Sequence, residues 1–169
     1  MWGAFLSPTV ALAGYVAGAV PKTVLLPTLA AQLVTAVVIY PLYAFLFPVS
    51  LVFGPNCNTT LTSCLALETA STFSLTLLCS LPLLYPSASS LTKSCWIGLS
   101  VRAMLEWTVL KTGTCMNVMI AFAWFGYNGT LLTAEAGVYV LGATAGSFLG
   151  VGVFGFVARW WEGGKVKVD

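Results

Sequence analysis

The stretch from Lys22 to Phe53 constrains this chain most. After its first lysine it carries no charged side chain, and it is punctuated by Pro27, Pro41 and Pro48. A run this long and apolar belongs in a bilayer, whose hydrocarbon takes about 20 helical residues to cross. The rest of the chain agrees. Only 7% of its 169 residues are charged, against about a quarter in a soluble domain. The chain reads as an all-α integral membrane protein of one membrane domain, with the lipid bilayer as its first partner.

Four full spans and two shorter apolar segments account for the sequence. The spans are expected at residues 22–53, 62–85, 94–111 and 134–161, the short segments at 7–18 and 117–127, and a tail at 162–169. Trp160 and Trp161 close the last span, where interfacial aromatic residues gather. If the spans alternate, Lys22, Lys93, Arg159, Lys165 and Lys167 share one side and Lys111 falls on the other. The positive-inside rule assigns the first group, with the C-terminus, to the cytoplasmic or matrix-like face. Asn58-Thr-Thr and Asn128-Gly-Thr, which match the glycosylation pattern, then meet on the opposite face.

The residue inventory excludes much chemistry. There is no histidine, so His-based metal sites and general bases are out. The five cysteines form no Cys-x-x-Cys pair. They read best as small buried hydrophobes, with a Cys57–Cys64 bridge inside one loop as the alternative. No Gly-rich phosphate loop, serine triad or carboxylate pair is found. No catalytic residue, metal or cofactor is therefore expected, and the net charge of +2 is too small to imply nucleic acid.

The two short segments correspond to each other. "LSPTVALAGYVAGAVP" aligns with "MNVMIAFAWFGYNGTL", Ser7 on Asn117. In each, a polar residue leads about three helical turns, and a full span begins some fifteen to eighteen residues later. The last span carries Gly142, Gly146 and Gly150 at four-residue spacing, and Ala30 and Ala31 stand in the corresponding region of the first. Small residues so spaced let helices approach closely. Paired half-helices in two repeats point to an inverted-repeat transport fold.

On these residues the chain resembles the aquaporin (major intrinsic protein) family, in particular its divergent superaquaporin and small basic intrinsic types. "GAFLSPTVALAGYVAG" looks like the first half-helix and "AAQL" like the span after it. "LETASTF" looks like the fourth family helix, "WIGLSV" like the fifth and "VYVLGATAGSFLG" like the sixth. "TGTCMNVM" occupies the second motif site. The resemblance implies a truncated aquaporin-like bundle of four transmembrane helices and two re-entrant half-helices, lacking the first two family helices. The pore-motif positions are then Ser7, Pro8 and Thr9 in one half-helix and Asn117, Val118 and Met119 in the other. Ser7 and Asn117 can cap the half-helices, and Pro8 suits a first helical position. The filter positions are held by Leu105 and Ile120, neither of which carries the family's charge. Glu68 is expected to accept hydrogen bonds from the irregular backbone before the second half-helix, and Gln32 to serve the first in the same way. Arg102 and Glu106, four apart on one helix face, are expected to pair with each other under a neighbouring subunit; the alternative has Arg102 blocking the vestigial pore.

Two functions follow as expectations. One is a non-conducting accessory subunit of a larger membrane complex, whose other subunits cover the face left by the missing helices; an organellar membrane would fit it. The other is a channel for water or a small neutral solute.

Overall fold

The computed structural model describes residues 7–16, 18, 20–46, 54–113 and 115–165, the last four by backbone alone. Residues 47–53, assigned by sequence to the first span, and residues 166–169 of the tail lie outside them. The described chain is helical and contains no strand. Its elements are α1 (Pro8–Val16), α2 (Lys22–Leu46), α3 (Leu61–Ser80, continued by a 3-10 turn over Leu81–Leu84), α4 (Ser90–Thr112), α5 (Val118–Tyr127) and α6 (Ala134–Lys165).

Local chemistry sets the boundaries. Thr60 Oγ1 accepts the Ser63 N–H at 3.3 Å and opens α3; Pro82 falls where the helix tightens into its 3-10 turn. Ser89 Oγ accepts the Thr92 N–H at 3.1 Å, which starts α4 four residues before the position expected from hydropathy. A cap can begin a helix in polar sequence because it satisfies amides that the first turn leaves without partners. Gly113 ends α4 at φ +63° and donates to Val109 O at 3.0 Å. Asn117 Oδ1 accepts the Met119 N–H at 2.9 Å and opens α5.

Among the described residues three helices are long and apolar enough to cross a membrane: Lys22–Leu46, Leu61–Leu84 and Ala134–Trp161. The fourth expected span, α4, is long enough at 23 residues. It falls short in apolarity, because it carries Lys93, Arg102, Glu106 and Lys111.

The most extensive helix pair is α3 with α6, and glycine makes it possible. A Cβ on Gly142 would lie 2.8 Å from Glu68 Cβ; on Gly146, 2.8 Å from Thr72 Cβ; on Gly150, 2.7 Å from Thr76 Cβ. Real carbon contacts are about 3.5–4 Å, so only glycine admits α3 at this distance. Most hydroxyls along α3 donate back to carbonyls of their own helix, while the buried Thr72 Oγ1 has no partner among the described residues. Thr76 Oγ1 donates to Thr72 O at 2.7 Å and Ser80 Oγ to Thr76 O at 2.6 Å. Around this pair, α4 packs chiefly on α3, and both short helices, α1 and α5, pack on α2 and on α6.

Candidate functional site

The chemistry-bearing residues converge where α4 turns back into α5. The turn buries Cys115 and Met116, and Met116 has φ 45°, a region a non-glycine residue enters at a cost. Backbone buried this deeply needs protein partners. Glu68, fully buried on α3, supplies one: its Oε2 accepts the Met116 N–H at 3.1 Å. Among the described residues its Oε1 has no hydrogen-bond partner. Cys115, Ala121, Phe125, Ala136 and Tyr139 form the apolar cluster behind the turn.

The end of α4 is pinned from two sides. An α-helix leaves its last four carbonyls unpaired, and here each finds a donor. Besides the Gly113 bond to Val109 O, Asn58 Nδ2 reaches Leu110 O at 3.3 Å and Asn58 N–H reaches Lys111 O at 3.1 Å. Thr112 O accepts from Asn56 N–H at 3.2 Å and from the buried Tyr139 hydroxyl at 2.6 Å. The loop that provides Asn56 and Asn58 is itself closed. Cys57 and Cys64 form a disulfide with Cα atoms 6.0 Å apart, and Glu135 Oε1 accepts the Cys57 N–H at 2.7 Å. This corrects the expectation that all five cysteines are buried hydrophobes. Cys79 and Cys115 are buried thiols, but Cys95 is exposed, and Cys57 and Cys64 are bridged because loop and helix start bring them within disulfide reach.

The sequence-derived positions are placed as follows. Ser7, Pro8 and Thr9 are buried at the start of α1; Ser7 Oγ lies 2.6 Å from Thr9 Oγ1 and accepts the Val10 N–H at 3.4 Å. Asn117, Val118 and Met119 are half-buried at the start of α5. Gln32 is half-buried on α2, the helix on which both short helices rest. Leu105 is half-buried on α4 and Ile120 is exposed on α5, two helices that share no substantial packing. Arg102 pairs with Glu106, and their side chains are 73% and 59% exposed. The arginine thus turns outward rather than into a pore.

Sequence reasoning missed Glu135, Tyr139, Asn56 and Asn58 as structural donors and acceptors. Tyr139 and Glu135 carried a usable signal, a polar group in an otherwise apolar span and one at its start. Asn58 carried none, since its partner lies 52 residues away. Between the disulfide loop and the α5–α6 connection lies a cavity of about 350 Å³ lined by Pro55, Asn56, Trp124, Asn128, Thr130 and Glu135. Among the described residues no three His, Cys, Asp or Glu side chains gather as a metal site would require.

Compared with protein-family models and with curated proteins, the chain matches none.

Proposed function

We propose that this protein is an aquaporin-derived, non-conducting accessory subunit of a larger membrane assembly. One observation carries the reading. Arg102 and Glu106 form an ion pair near the middle of the 23-residue α4, on its outward face. With α4 taken as the fourth span expected from sequence, its four charges notwithstanding, Arg102 stands about 18 Å along the helix axis, at 1.5 Å per residue, which is mid-bilayer for an upright helix. Charged side chains at that depth cost about 2.5–3.5 kcal/mol each on insertion scales and face protein rather than lipid. A partner subunit lying over this face of α4 satisfies that requirement.

Two further features support it. The buried hydroxyls of Thr76, Ser80, Ser100, Thr108 and Ser147 donate to carbonyls of their own helices. Such back-bonding commits donors that a water path would use. Leu105 and Ile120 offer no polar group at the filter positions. The opposing reading, a channel for water or a small neutral solute, has one observation in its favour: both capped short helices pack on the same two long helices, the seating expected of paired half-helices.

The proposed orientation follows from two independent chemistries. Lys22, Lys93 and Arg159 mark the cytoplasmic side, with the C-terminus. The Cys57–Cys64 disulfide and both Asn-x-Thr triplets mark the other, which is then an oxidising compartment. That favours a membrane of the secretory system over one facing the mitochondrial matrix.

Stopped-flow light scattering on proteoliposomes tests the function. No water flux above that of bare lipid is expected. The R102L/E106L variant is expected to leave the native assembly on blue-native gels while remaining folded in detergent. Rapid, reversible flux through the purified protein overturns the proposal.

A further inference from the structure

At the end where Lys22 and Arg159 mark the proposed cytoplasmic face, the 3-10 turn after α3 and the first turns of α4 enclose a groove of about 350 Å³. Leu81, Pro82, Tyr85 and Trp96 make its surface, and Thr92 and Lys93 stand on its rim. The walls are held in place. Trp96 Nε1 donates to Leu78 O at 2.7 Å, which fixes the indole against α3. The Tyr85 ring meets that of Trp161 with centroids 5.6 Å apart, at the end of α6. These aromatic rings set the depth: tyrosine and tryptophan collect where acyl chains meet headgroups. The Lys93 ammonium spends one hydrogen bond on Pro86 O at 3.3 Å, and among the described residues it has no carboxylate partner.

We infer that this groove is a binding site for a phospholipid with a net-negative headgroup, its acyl chain on the Leu81–Pro82–Trp96 surface and its phosphate at Lys93. The apolar walls alone would accept any lipid chain. The Lys93 cation, with no carboxylate partner among the described residues and at headgroup depth, is what selects the anionic class. A soluble phosphate meets the lysine but gains nothing from the groove.

Photo-crosslinking with chain-labelled phospholipids tests this on the purified full-length protein. The vesicles are phosphatidylcholine with a minor fraction of either photoactivatable phosphatidylserine or photoactivatable phosphatidylcholine. Adducts are mapped by mass spectrometry. Phosphatidylserine is expected to label residues 81–96 more than phosphatidylcholine does. K93Q should reduce that labelling about fivefold, the equivalent of about 1 kcal/mol for one lysine near a membrane surface. Phosphatidylcholine labelling, and the effect of K111Q at the opposite end of α4, should not change. Excess glycerophosphate should not compete; competition would assign the site to free phosphate. Equal labelling by the two lipids, or phosphatidylserine labelling that survives K93Q in protein with unchanged helicity, overturns the inference.

Discussion

Gly146→Ala should damage this protein far more than its single methyl suggests. The added Cβ would meet Thr69 O, lie 2.8 Å from Thr72 Cβ and sit 2.9 Å from Phe73 N. Two of these three contacts are backbone, so no side-chain rotation relieves them. Restoring contact distances of about 3.5 Å requires α3 and α6 to part by roughly half an ångström or more. A gap of about 0.5–1 Å already forfeits a quarter to a half of the dispersion well for each atom pair along the seam. Overpacking of this kind costs about 1–3 kcal/mol, and the extent of the α3–α6 contact argues for the upper half of that range. Gly152→Ala, on the same helix with nothing within 4 Å of its Cβ, is the control. It should be neutral or stabilising, because alanine is favoured over glycine in a helix by up to about 1 kcal/mol. The assay is reversible unfolding in mixed detergent micelles, followed by circular dichroism. If G146A and G152A unfold together, close approach of α3 and α6 does not hold the fold and the reasoning fails.

Three further outcomes are expected. Glu68→Leu leaves the buried Met116 N–H without its acceptor and should cost about 1–3 kcal/mol, while Glu68→Gln, which keeps a carbonyl there, should restore most of it in the same micelle assay. Gly113→Ala places a side chain at φ +63° and 2.9 Å from Asn56 N; the left-handed conformation alone costs about 1–2 kcal/mol, and loosening of the 56–58 loop should appear as faster amide exchange at Asn56 and Asn58. Under denaturing conditions the unreduced protein should alkylate three cysteines and the reduced protein five; five in both would rule out the Cys57–Cys64 bridge, whose loss in C57S/C64S should lower stability by about 2–3 kcal/mol for so short a loop.

Much of the helical layout is legible in the sequence for physical reasons. The spans at 22–53 and 134–161 are read from apolar length, because a bilayer-crossing segment must be long and largely uncharged, and the structure describes the first of them as helix over Lys22–Leu46. The start of α5 is read from Asn117, whose side chain can serve the amides of a first turn, whereas the Thr60 cap of α3 is found only in the structure. The four-residue spacing of Gly142, Gly146 and Gly150 announces a close helix contact. The start of α4 is not read from hydropathy, since Ser89 sets it in a polar stretch.

What the sequence determined by itself is therefore local: which segments are helical, which are apolar enough to leave water, and which side chains can cap them. Only the tertiary structure decided that the glycine stripe meets Glu68, Thr72 and Thr76, and that Asn56, Asn58 and Tyr139 complete the end of α4. It alone directed Arg102 and Glu106 outward, and chose the bridged state of Cys57 and Cys64. Capping and hydropathy act within a few residues. A buried carbonyl or a missing methyl takes its partner from whatever element packing brings near, and that distance along the chain is free to be 52 residues.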